Sequence, residues 1–134
     1  MATITEIFDP AELRNQCLRE RAKQAKMARS RQFVAHTGDN EMAYLSFDHR
    51  ADIDTGVLYE ILVLPRYRTH GLGTELVIFS EGIARLVGCA RMRLLPRAFD
   101  ASVDQTWLES WYLKQGYSIA NDGSREFEKR LVSV

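Results

Sequence analysis

The stretch from Val57 to Leu95 constrains the fold more than any other part of the chain. "VLYEILVL" (57–64) is a nearly continuous apolar run stopped by Pro65. A run of that kind belongs in a central strand covered on both faces. After Gly71 and Gly73, a helical segment is expected from Thr74 to Val87. Leu72, Leu76, Ser80, Ile83, Ala84 and Val87 fall on one face at helical spacing, and Gly88 suits the stop. "CARMRLL" (89–95) reads as the next strand, closed by Pro96. Strand, helix and strand in that order predict a parallel pair joined by a right-handed crossover.

The remaining segments supply elements on both sides of this unit. Thr3 to Phe8 alternates weakly, as a short first strand would. "DPAE" then opens a helix: Asp9 can cap it, Pro10 suits the first helical position and Glu12 completes a capping-box spacing. That helix is expected to reach Ala28 or Arg29, with a thin apolar side of Leu13, Cys17, Leu18, Ala22 and Ala25. "QFVAH" and "MAYLSF" flank the turn residues "TGDN" and predict a hairpin. Trp107 to Gln115 reads as a helix ended by Gly116. "YSIA", "NDGS" and "REFEKRL" predict a closing hairpin. The expected order is strand, helix, three strands, helix, strand, helix, two strands.

Composition narrows the function class. The 134 residues suit one domain, 1–134, and 46% hydrophobic content is enough for a real core. Eighteen basic residues balance eighteen acidic ones, so net charge provides no pull toward nucleic acid or membrane. No signal peptide or membrane-length apolar run is evident. Cys17 and Cys89 match no metal spacing and read as small buried hydrophobes of a reduced, cytoplasmic protein. Between Asp9 and Arg31, seven cations stand against three anions. This reads as a solvated outer face, or alternatively as a docking face for an acidic partner.

The glycine run poses the chemical question. In "LPRYRTHGLGTEL" (64–76), bare backbone sits beside Arg66, Arg68 and His70 where a strand ends and a helix begins. A helix N-terminus offers unpaired N–H groups and the positive end of the helix dipole, so this is the chemistry of a phosphate or pyrophosphate cradle. It is neither a dinucleotide fingerprint, which would need glycine at Leu76, nor a P-loop, since Thr74-Glu75 follows Gly73.

A third pattern fits. "LVLPRYRTHGLGTEL" resembles the acetyl-CoA-binding signature of the GNAT N-acetyltransferase superfamily through Arg68, Gly71 and Gly73, preceded by Val63, Pro65 and Tyr67. "WYLKQGY" resembles the same family's later motif through Tyr112, Gly116 and Tyr117. Both occur in the family's order, over residues 30–131. The resemblance implies a mixed α+β GNAT fold: a mostly antiparallel central sheet with one parallel βαβ unit, flanked by helices.

It also implies acetyl-CoA as acyl donor without a metal, and a primary amine of a small molecule, peptide or protein as acceptor. No nucleic acid or membrane partner is expected, and a homodimer is left open. The implied cofactor-binding residues are Leu62, Val63 and Leu64 on the strand, Arg68, Thr69, His70, Gly71, Leu72, Gly73 and Thr74 in the cradle, and Gln105. Gln105 stands where many members carry Asn seven residues before the motif tyrosine. The N-terminal segment is shorter than in many members, with one helix in place of two.

Tyr112 is the candidate acid for the departing thiolate, because a phenol is protonated at neutral pH. Tyr117 is assigned to packing. Glu60, a lone acid in an apolar strand, is the candidate base or amine-binding carboxylate, with a salt bridge as the structural alternative. Asp52 and Asp54 are weaker candidates, and His36 and His49 read as structural or surface residues. The rival from another class is a non-catalytic acyl-CoA-binding module that docks a protein through the cationic first helix.

Overall fold

The computed structural model describes residues 2–25, 30–98 and 103–132. Its elements are β1 (Thr3–Ile7), α1 (Gln16–Ala25), β2 (Ser30–Thr37), β3 (Asn40–Arg50), β4 (Thr55–Val63), α2 (Leu72–Leu86), β5 (Arg91–Leu94), α3 (Gln105–Lys114), β6 (Ser118–Ile119) and β7 (Phe127–Arg130). Single 3-10 turns occupy Pro10–Glu12, Ala51–Ile53 and Pro65–Tyr67. The strands form one sheet in the order β1-β2-β3-β4-β5-β7-β6. Among the described residues only the β4–β5 pair is parallel, as the βαβ pattern requires.

Two apolar clusters cover the two faces of the sheet. Leu18 and Ala22 of α1 pack with Ile7, Leu13, Val34, Tyr44, Leu62 and Leu64. Leu72, Leu76, Val77 and Ala84 of α2 pack with Leu45, Phe47, Leu58, Met92 and Leu94 on the other face, together with Tyr112 and Tyr117. The contact between β4 and α2 is close enough to exclude a side chain at Gly56. A Cβ there would lie 2.8 Å from both Met92 Sδ and Phe47 Cε2 and 3.0 Å from Ala84 Cβ.

The N-terminal region departs from expectation. The capping box forms, with Asp9 Oδ1 accepting from Ala11 N and Glu12 Oε2 from Asp9 N. It opens only the 3-10 turn. The chain then extends at Leu13, and α1 begins at Gln16. The reason is tertiary: the Glu41 carboxylate on β3 accepts from the Arg14 and Asn15 backbone N–H groups, and Asn15 Oδ1 accepts from Leu18 N as the new cap. With this later start, Cys17 is exposed rather than buried, while Cys89 is buried as expected. The expected end at Ala28 or Arg29 lies outside the described residues.

On α2, the buried stripe includes Val77 and Glu81, which the periodicity had left outside, whereas Val87 is exposed. Gly88, at φ +87°, ends the helix as its position suggested.

Candidate active site

The sheet splits at its centre. β4 pairs with β3 from Thr55 to Val63 but with β5 only from Thr55 to Leu58. At the split the β3–β4 register slips. Ser46 faces Glu60 and Phe47 faces Leu58, which leaves Tyr59 as an extra residue. A bulge of this kind bends its strand and increases its twist, so the far half of β4 swings away from β5. The side of β4 expected to be fully covered is therefore open beyond Leu58, and Tyr59 is 44% exposed.

A cavity of about 860 Å³ fills the split. Its walls are β4 from Leu58 to Val63, the turn and helix start at Tyr67–Thr69, Gly71, Gly73 and Thr74, and the α3 residues Thr106, Trp107, Leu108, Trp111 and Tyr112. Leu94, Leu95, Arg97 and Ala98 close it from the end of β5.

Strand register decides which backbone groups reach the cavity. Leu64 donates its N–H to Met42 O on β3, and residues of an antiparallel pair alternate between facing the partner and facing away. Leu62, opposite Tyr44, therefore turns its N–H to β3 as well. Of the three residues expected to offer backbone to the site, only Val63 presents it to the cleft, joined by Ile61. Arg68 Nε donates to Val63 O over 2.9 Å and ties the cradle arginine to the strand end.

The cradle itself is the N-terminus of α2. No side chain caps this helix, so the N–H groups of its first turn are available to an anion. Gly71 is the N-cap at φ +82°, a left-handed conformation costly for other residues. Space around it is open. Gly73 has a packing reason as well: a Cβ would lie 3.3 Å from the Trp111 ring. Thr74 lines the cavity and its hydroxyl accepts from Gln115 Nε2. His70 is exposed and Leu72 is buried in the core, both outside the cavity wall. Arg66 stacks on Tyr67, 5.2 Å from the ring centroid, rather than facing the cradle.

Gln105 also lies outside the cavity wall. Its amide donates to Pro96 O and to the Glu109 carboxylate, and its oxygen accepts from Ala98 N. It holds the chain after β5 instead of facing the cleft.

The two candidate catalytic side chains both line the cavity. Tyr112 is 7% exposed and its ring meets Trp111 and Tyr117 edge-on, with centroids at 4.9 and 5.9 Å. Burial pushes its phenol well above the usual tyrosine range, so the proton stays on at neutral pH. Glu60 points toward α1, where its Oε1 meets Arg21 Nη1 at 3.4 Å. Its side chain is only 16% exposed, and Oε2 is buried without a hydrogen-bond partner. Burial raises the Glu60 carboxyl, against the opposing pull of Arg21 and Arg97.

The weaker acids fall elsewhere. Asp52 faces Arg50, and Asp54 lies at φ +51° in the turn before β4. His36 bonds to Thr5 and Gly38 at the sheet edge. Three further cations of the N-terminal segment have acidic partners: Arg14 with Asp39, Lys23 with Glu20, and Arg31 with Glu6.

A split parallel pair, an uncapped helix start behind a glycine turn and a buried tyrosine across the cleft meet around this one cavity. The family described as "Acetyltransferase (GNAT) family" matches residues 1–117, and the chain belongs to it. Members are N-acetyltransferases that take the acyl group from acetyl-CoA.

No curated protein matches the chain by sequence. Solved structures share the fold at low identity. The ribosomal-protein-S18-alanine N-acetyltransferase from Escherichia coli is 18% identical, with TM-score 0.72 over 100% of this chain and 96% of that one. A GNAT-family acetyltransferase from Staphylococcus aureus Mu50 is 14% identical, with TM-score 0.70 over 98% and 100%. PaiA N-acetyltransferase from Thermoplasma acidophilum, solved in complex with coenzyme A, is 16% identical, with TM-score 0.61 over 85% and 67%.

Proposed function

We propose that this protein transfers an acetyl group from acetyl-CoA to a primary amine held beside Glu60. The observation that carries the reading is the coincidence, around one cavity, of the free edge of β4, the uncapped start of α2, Glu60 and Tyr112.

The uncapped turn of α2, with Arg68 and Thr74, would receive the pyrophosphate. The Ile61 and Val63 backbone groups would hold the pantetheine arm as an added strand does. Three chemical demands then remain: a proton must leave the ammonium, the carbonyl oxygen must be stabilised as it becomes an oxyanion, and the departing sulfur must gain a proton. Glu60 accepts the first proton, directly or through water. A cleft-facing N–H of β4 donates to the oxyanion, an interaction worth roughly 3 kcal/mol of barrier. The Tyr112 hydroxyl supplies the proton to sulfur. The C–N bond forms as the carbonyl π electrons move onto oxygen, re-formation of the carbonyl then breaks the C–S bond, and the products are an amide and free thiol.

Thiol release from acetyl-CoA, followed across a panel of amines, is the test. Amine-dependent release that is lost in Tyr112→Phe supports the reading. Acetyl-CoA binding with no release by any amine would return the protein to a binding role.

A further inference from the structure

The charged side chains lining the cavity are Glu60, Arg68, Arg97 and Asp104. Two of them have structural duties. Arg68 is tied to Val63 O at the cradle end, and Asp104 caps α3 by accepting from Trp107 N. Glu60 and Arg97 remain. Arg97 stands past the end of β5, after Leu95 and Pro96, is exposed, lines the cleft and, among the described residues, has neither a hydrogen bond nor an ion pair through its side chain. Its charge is nevertheless felt at the Glu60 carboxylate.

Arg21 already engages the Glu60 carboxylate from the α1 side, whereas Arg97 faces the cleft. A simple ammonium entering beside Glu60 would meet the Arg97 charge with nothing to offset it. An acceptor bringing its own anion would offset it, and a guanidinium is the side chain suited to a planar carboxylate. We infer that the preferred acceptor is an amine that also bears a carboxylate, with its ammonium at Glu60 and its carboxylate at Arg97. The inference rests on the acetyl-transfer reading above and specifies its substrate class.

The experiment is a matched panel assayed with the whole chain and acetyl-CoA: several amino acids, their amides and the corresponding amines lacking the carboxyl group. The expected result is kcat/KM at least about tenfold higher for the acids, the scale of one charge-assisted contact. In Arg97→Gln that preference should collapse, and in Arg97→Lys it should return in part. Equal turnover of acid and amide, or a preference that survives Arg97→Gln, would overturn the inference while leaving the acetyltransferase reading intact. A raised KM for acetyl-CoA in Arg97→Gln, with acceptor preference unchanged, would also overturn it by assigning Arg97 to the coenzyme. Absence of thiol release with every amine would remove the underlying reading, and the inference with it.

Discussion

Ser46 and Glu60 face each other across β3 and β4, at the last pair before the register slips past Tyr59. Each holds a buried oxygen without a hydrogen-bond partner, Ser46 Oγ and Glu60 Oε2. Buried polar atoms are ordinarily satisfied, and of these two residues only Glu60 lines the cavity, where its orphan oxygen is suited to receiving a donor, while Ser46 is fully buried. The bulge is what brings Glu60 there. It ends the pairing of β4 with β5 and turns the Glu60 position from sheet interior into cleft wall.

Glu60→Gln tests that surface. If Glu60 is the base, kcat/KM falls most at neutral pH and recovers partly as pH rises, because more acceptor is then a free amine. If it only positions a cation, KM rises and kcat changes little. Stability provides a separate reading. The folded-state pKa lies above the ordinary value because of burial. The folded state therefore holds this proton more tightly than the unfolded state, and wild-type stability declines as pH rises from the ordinary carboxylate value through the raised one. Glu60→Gln removes that slope, so its melting temperature relative to wild type should be higher at neutral pH than at acid pH. Melting curves across pH that run parallel for the two proteins would contradict the buried-carboxylate account.

Tyr112→Phe removes one hydroxyl and keeps a ring packed against Trp111 and Tyr117. As the acid for the departing sulfur, the variant should lose about 10²–10⁴-fold in kcat, with acetyl-CoA affinity nearly unchanged. Wild-type turnover would leave Tyr112 as a core aromatic.

The cradle is tested at both glycines because they differ in their structural demands. Gly71→Val meets open space but must adopt φ +82°, a strain of about 1–3 kcal/mol. Gly73→Val needs no unusual backbone but presses on the Trp111 ring. Both should weaken acetyl-CoA binding by at least about tenfold in calorimetric titration, a loss of about 1.4 kcal/mol. Unchanged affinity in folded protein at both positions would remove the anion cradle.

The parts that the sequence made legible are those governed by local chemistry. Pro65, Gly71, Gly88 and Gly116 mark element ends because each restricts or frees the backbone where it stands. The apolar run of β4 and the periodic face of α2 imply the parallel crossover, and Glu60 is conspicuous as a charge inside that run. What stayed hidden depends on partners far along the chain. Glu41, on β3, captures the Arg14 and Asn15 N–H groups and delays α1. No local pattern announces the one-residue slip at Tyr59, yet it sets which backbone groups face the cleft, so Val63 and Ile61 could not be separated from Leu62 and Leu64. Glu81 stays off the periodic face of α2 until its partners, Tyr117 just beyond α3 and Lys129 on β7, are known.

Those partners support the last prediction. Glu81 is buried on α2, and its carboxylate accepts from the Tyr117 hydroxyl at 2.9 Å and from Lys129 Nζ at 3.1 Å. Lys129 also donates to Gln115 O at the end of α3, so one ammonium joins α2, α3 and β7. Lys129→Met removes the only cation paired with Glu81 among the described residues and leaves a buried carboxylate, which should cost roughly 3 kcal/mol. Tyr117→Phe removes a single hydrogen bond to a charged group and should cost about 1.5–3 kcal/mol. Replacing both ends together, Glu81→Leu with Lys129→Met, should cost less than Lys129→Met alone, because no charge is then stranded. Chemical denaturation of the three variants checks the order. A double variant less stable than Lys129→Met would show that the ion pair contributes more than the removal of its desolvation cost can return. Because Tyr117 packs edge-on against Tyr112, kcat should fall modestly in Tyr117→Phe, far less than in Tyr112→Phe, which separates a positioning residue from the acid itself.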